Sequence, residues 1–175
     1  MNNYLYHYCP KRLYEKIKKN GMLSLYAQYT YDKETFDKNI AGYKTRVHTL
    51  IGKKETYTLK DYDKFFKSRG LDIRSIFFSF WKVIPGINKD RDHFIKSSYL
   101  IKIDIKSLER NWEYRIVNAN KITSTNLNGI KKYSNMDGKQ FQTKTTGKFL
   151  FTKIPHLAII TKDGRINKKY LIFDK

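Results

Sequence analysis

The sequence predicts an α+β domain, and three observations carry that expectation. Amphipathic helical stretches gather in the first 70 residues. Apolar or alternating strand-like runs dominate from residue 74 onward. The 175-residue chain is also rich enough in apolar and aromatic side chains, 40% and 15%, to bury a core in a single domain. Disordered chains lack such aromatics.

Taken in order, residues 4–8 (YLYHY) read as a short strand. Pro10 suits the first turn of a helix, where its missing N–H costs nothing. Leu13, Tyr14 and Ile17 give that helix one apolar face through residue 19, and Asn20-Gly21 stops it. Residues 26–55 are polar and Tyr-rich with weak periodicity. They are expected to form a functional loop holding one short helix over Asp32 to Ile40, punctuated by Gly42 and Gly52. Thr58 caps a helix over 59–69 whose face carries Leu59, Tyr62, Phe65 and Phe66, with Gly70 as terminator.

The run RSIFFSFW over 74–81 is almost continuously apolar, as a central strand is. Pro85-Gly86 ends it. From Tyr99 to Ile105 the chain alternates, with Ile101, Ile103 and Ile105 on one side and Lys102 and Asp104 on the other. Ser107 to Arg110 reads as one helical turn and Glu113 to Val117 as a strand. Residues 118–147 read as a basic, loop-rich insertion. Strands are expected at Lys148 to Lys153 and Leu157 to Thr161. Asp163-Gly164 signals a hairpin returning through Arg165 to Phe173. The total is two or three helices with six or seven strands.

Lys and Arg number 36 against 16 Asp and Glu, a net charge of +20. Lysine outnumbers arginine 28 to 8, which fits an AT-rich genome. Such drift does not remove Asp and Glu, so the depletion of acids is the more informative half. It points to a polyanion partner. The depletion is concentrated between Tyr114 and Lys162. There Arg115, Lys121, Lys131, Lys132, Lys139, Lys144, Lys148, Lys153 and Lys162 face the single acid Asp137, nine charges against one. Tyr133, Phe141 and Phe149 are interleaved, a pattern that suits phosphate gripping and base stacking. Lys121, Lys131, Lys132, Lys139, Lys144 and Lys148 are the candidate nucleic-acid contacts. The alternative is a solvated Lys-rich surface.

Several classes are disfavoured. The single cysteine, Cys9, excludes an internal disulfide and a Cys-based zinc site. His7, His48, His93 and His156 are too scattered for ligand spacing, so no metal is expected. There is no phosphate-cradling glycine loop, no Gly-x-Ser-x-Gly elbow and no Glu-x-Lys partner for the close Asp61/Asp63 or Asp90/Asp92 pairs. The N-terminus lacks a signal-peptide pattern, and Ile76 to Trp81 is too short to span a bilayer. A cytoplasmic protein that is not secreted and does not engage a membrane is expected.

The run Tyr6-His7-Tyr8-Cys9-Pro10, followed by Leu13, Ile17, Asn20-Gly21 and Met22-Leu23-Ser24, resembles the opening of ADP-ribosyltransferase-like domains. DNA-targeting ADP-ribosyltransferase toxins and tRNA 2′-phosphotransferases look similar there. The resemblance covers residues 4–25 mainly. It implies two small, mostly antiparallel sheets around a cleft that takes NAD as substrate. It also implies a first-strand histidine on the ribose, a role that falls to His7, with a backbone group near Tyr8 beside it. By the same resemblance Ser79 lines the nicotinamide pocket, Tyr99 stacks on nicotinamide, and Glu113, the last glutamate, orients the ribose and stabilises its developing positive charge. Arg46 or Arg12 would grip a phosphate.

Each residue also has a plainer reading. His7 can be a packed core histidine bonded to backbone, and Glu113 a solvated strand-edge carboxylate. Arg46 can be a surface residue, Ser79 a backbone-bonding hydroxyl, and Tyr99 a core-edge aromatic. Three functions follow: a transferase acting on nucleic acid or a nucleic-acid-associated protein, a non-catalytic DNA- or RNA-binding accessory factor of phage or mobile-element type, or a degenerate transferase fold that binds a nucleotide or a partner protein.

Overall fold

The computed structural model describes residues 3–82, 98–118, 121–135 and 156–174. The expected strands at 148–153 and the Pro85-Gly86 stop lie outside them. The chain divides into two compact units. One comprises Met1–Gly21, Phe77–Ile159 and Asn167–Lys175, and the other Met22–Ile76 and Ile160–Ile166. The described residues mix helix and strand, with six helices rather than two or three.

The first unit is built on a sheet. Its strands are β1 (Tyr4–Pro10), β3 (Ser75–Ser79), β4 (Ser98–Asp104), β5 (Glu113–Asn118), β6 (Lys121–Ser124), β7 (His156–Ile160) and β9 (Leu171–Asp174). Two further short strands, β2 (Met22–Leu23) and β8 (Arg165–Ile166), pair with each other. The sheet order is β6-β5-β7-β3-β1-β4-β9, which places the apolar β3 at its centre. The resemblance implied two small sheets; the described residues form one large sheet of seven strands and one of two.

The register of β1 against β4 sorts their side chains. Leu5 faces Ile103, His7 faces Ile101 and Cys9 faces Tyr99. Directly opposed residues of an antiparallel pair share a face. Leu5, Cys9, Ile101 and Ile103 are fully buried, so this is the core face. Helix α1 (Lys11–Asn20) lies on it through Tyr14, whose ring meets Tyr99 at 4.9 Å and Phe173 at 5.6 Å. Pro10 sits just before the helix and Gly21 ends it at φ 80°. The other face carries Tyr4, Tyr6, Tyr8 and Lys102, and Lys102 lies 4.8 Å over the Tyr4 ring and pairs with Asp174.

The second unit is helical, and here the expected loop over 26–55 is corrected. It forms α2 (Leu25–Tyr31), α3 (Lys33–Ala41) and α4 (Lys44–Ile51), followed by α5 (Leu59–Ser68). Periodicity is weak because few apolar residues bury each helix: Phe36 and Ile40 on α3, Val47 on α4. Tyr43 packs half-buried against this cluster, while Tyr26, Tyr29 and Tyr31 stay exposed. The caps are local. The Ser24 hydroxyl accepts from the Ala27 N–H at 3.3 Å, and the Asp32 carboxylate from the Thr35 N–H at 3.3 Å. On α5, Thr58 and Asp61 form a reciprocal capping box. Tyr62, Phe65 and Phe66 complete the cluster.

Two further expectations change. The stretch 118–147 holds β6 and a helix, α6 (Leu127–Ser134), capped by Asn126. The Asp163-Gly164 turn forms, but its returning strand breaks into β8, a 3-10 turn (Lys168–Tyr170) and β9. β8 turns to β2 and β9 to β4, because each finds an open edge there.

Candidate nucleic-acid interface

The residues singled out by sequence fall into separate places. His7 lies on the core face of β1. Its Nδ1–H donates to the Phe77 carbonyl at 3.0 Å, which leaves Nε2 as the acceptor nitrogen. Its ring meets Phe78 edge-on at 5.9 Å. Burial pushes its pKa below 6.5; the bond to Phe77 opposes this and the nearby charge of His156 adds to it. His7 is therefore neutral at neutral pH. Tyr99 shares its face on the neighbouring strand, opposite Cys9 and two residues from Ile101, which His7 faces.

Tyr8 and Ser79 lie on the opposite face, since Tyr6 pairs with Ser79 and Tyr8 with Leu100. The Ser79 hydroxyl accepts from the Trp81 N–H at 3.3 Å and donates to the Trp81 carbonyl at 2.9 Å, a local turn that closes the strand. Glu113 begins β5, exposed and ion-paired to Arg115 at 2.6 Å. Between β1 and β5 stand β3 and β7, so the two backbones are three strand spacings apart, about 14 Å. His7 and Tyr99 share one face of neighbouring strands, and Glu113 is not brought to them.

Arg46 belongs to the helical unit, exposed on α4 with its guanidinium 6.0 Å from the Tyr43 ring. Arg12 is exposed on α1. Lys131 and Lys132 are exposed in the last turn of α6, where positive charge also suits the helix dipole. Lys121 starts β6, and its side chain lies outside the described residues, as do Lys139, Lys144 and Lys148. Cys9 is buried, and burial pushes its thiol up to about 11, which keeps it unreactive.

The sheet unit assembles a cluster that the sequence did not reveal. The Tyr170 ring meets Trp112 edge-on at 5.6 Å. The Arg110 guanidinium lies 4.1 Å over Tyr170, and Lys169 approaches the same ring at 5.1 Å. Arg110, Lys168 and Lys169 are exposed, and the two rings are half-buried. Two residues past Trp112, Tyr114 is buried and its hydroxyl donates to the Leu108 carbonyl. A guanidinium stacked on an aromatic ring keeps an outer flat face for a base. The signal was present only as two fragments, Arg-Asn-Trp and Lys-Lys-Tyr, 58 residues apart between Trp112 and Tyr170.

Among the described residues, no group of three or more His, Cys, Asp or Glu side chains is gathered to hold a metal, and no helix is long and apolar enough to cross a membrane. Comparison with protein-family models, with curated proteins and with solved structures gave no match.

Proposed function

We propose that this chain is a nucleic-acid-binding protein that works through a basic, aromatic-bearing surface and not through catalysis by Glu113. The observation that carries this is the Arg110–Trp112–Lys169–Tyr170 cluster, which sets stacking surfaces among cations on a chain of net charge +20. Cations neutralise backbone phosphates and release counterions, while the rings accept a base without regard to sequence. The ion-paired Glu113, set about three strand spacings from His7, supports a non-catalytic reading.

Titration of an oligonucleotide against Trp112 fluorescence tests it, because the other tryptophan, Trp81, is buried. The expected result is quenching and an affinity that falls with salt at a slope of ~−0.7 per single-strand phosphate neutralised. Tyr170→Ala is expected to weaken binding by about 5- to 150-fold, the worth of one stacked base. Unchanged binding in Tyr170→Ala, or a flat salt dependence, overturns the proposal.

A second reading keeps NAD as a ligand, and the placement of neutral His7 and Tyr99 on one face of the sheet favours it. It expects NAD to raise the thermal midpoint and His7→Ala to abolish that rise. Transfer of labelled ADP-ribose that is lost in Glu113→Gln would restore the catalytic version.

A further inference from the structure

The helical unit holds a cavity of about 420 Å³ that plays no part in the reading above. Helices α2 and α5, the segment 72–74 and the turn at Lys162 line it, and it is open to solvent. That volume suits a small organic ligand.

The charges of its wall do not cancel. Lys60, Lys67, Arg74 and Lys162 line it, against Asp63 and Asp72. Both carboxylates are already engaged. Lys67 Nζ reaches Asp63 at 2.8 Å, one helical turn away. Asp72 takes a fork from Arg74, Nε at 3.1 Å and Nη2 at 2.8 Å. Lys60 and Lys162 have no ion pair among the described residues and are exposed. The cavity therefore carries a surplus of two positive charges.

Helix stability does not explain Lys60. It stands in the first turn of α5, where the helix dipole disfavours a cation, whereas Lys67 near the other end suits it. Lys162 is held in place by its turn. Its carbonyl accepts from Arg74 Nη1 at 3.5 Å, and the flanking Thr161 hydroxyl accepts from the Arg165 N–H at 2.8 Å. Gly164 has φ 68°, and a β-carbon there would overlap the Ser24 hydroxyl, so the turn needs this glycine to close. Tyr26, Leu59 and Ile73 complete the wall, and Tyr26, 41% exposed, is tethered by its N–H to the Ile73 carbonyl at 3.2 Å.

We infer that this cavity binds a phosphomonoester carried on a planar ring: a nucleoside monophosphate, either free or as the 5′-terminal nucleotide of a strand. A phosphomonoester bears roughly −1.5 to −2 at neutral pH, which matches the two uncompensated lysines. The ring lies against Tyr26. The terminal-nucleotide form rests on the nucleic-acid reading above; the free form does not.

Calorimetric titration of the full chain with AMP, adenosine and inorganic phosphate tests the inference. AMP is expected to bind at least tenfold more tightly than adenosine, and the Lys60→Ala/Lys162→Ala pair to lose at least tenfold for AMP. Tyr26→Ala is expected to weaken AMP and leave inorganic phosphate unchanged. Equal affinity for AMP and adenosine overturns the inference, and so does an unaffected double variant; the first comparison needs no variant. A 5′-phosphorylated and a 5′-hydroxyl oligonucleotide separate the two sources. A preference for the phosphorylated strand that the double variant erases assigns the terminal nucleotide. AMP binding without that preference assigns the free nucleotide. If both strands bind equally with strong salt dependence and AMP does not bind, the cavity inference fails while the nucleic-acid reading stands.

Discussion

The sheet unit and the helical unit use their charged and titratable groups differently. In the sheet unit the groups that attract attention in sequence are committed to the fold. His7 bonds the Phe77 carbonyl, Glu113 pairs with Arg115, and Lys102 pairs with Asp174. In the helical unit Asp61 is committed to a cap and Asp63 and Asp72 to cations, while Lys60 and Lys162 keep their charge beside a cavity. A conspicuous residue type is thus a poor guide to function by itself. A charge with no structural role, at a concave site, is a better one.

Four measurements can break or sharpen this contrast. The largest effect is expected in the sheet core. Phe78 is completely buried on β3, and Phe78→Ala should cost about 3–5 kcal/mol in urea unfolding. A loss under 1 kcal/mol would mean that the sheet does not carry the unit's stability. Next comes Gly164→Ala, where a left-handed φ of 68° and the clash with Ser24 should cost about 1–3 kcal/mol. The same variant should weaken AMP binding by displacing the Lys162 turn; retained stability would show that the turn adapts.

His7 gives a pH dependence with a definite sign. Its folded pKa lies below the ordinary 6.5, chiefly through burial. As pH falls, the unfolded chain takes up the proton first, so the contribution is complete above about 6.5 and is lost toward the folded value. Urea stability of the wild type should therefore fall between pH 7.5 and 5.5, and the fall should be smaller in His7→Phe. An identical pH profile in the two proteins would mean that His7 is not held neutral. At pH 7.5 the variant also loses the bond to Phe77, about 0.5–1.5 kcal/mol. The smallest effect belongs to Glu113→Ala. An exposed ion pair with Arg115 is worth about 0.2–1 kcal/mol, and oligonucleotide binding should not weaken. A large loss of binding would return Glu113 to the site.

The elements that the sequence foretold have strong local signals. The alternation over 99–105 became β4 with Ile101 and Ile103 buried, and the Thr58 cap opened α5. The Asn20-Gly21 stop ended α1 at the left-handed Gly21. The helices over 26–55 were missed for the opposite reason. Each buries only one or two apolar residues, and the exposed Tyr26, Tyr29 and Tyr31 blur the period. Even so, Ser24 and Asp32 are recognisable caps in hindsight. Of the site features, Lys60 in a first turn is legible as a misplaced charge. Lys162 beside it is not, because 102 residues separate the two in sequence.

The sequence alone determined the mixed helix-and-strand character, the excess of positive charge, the stop of α1 and the cap of α5, because these depend on periodicity, composition and capping within a few residues. Only the tertiary structure decided that one sheet has seven strands, that His7 faces the core while Glu113 stands apart, and that Arg110 lies on Tyr170. Those outcomes depend on strand order and register, which follow from packing between distant segments and leave no local trace in the chain.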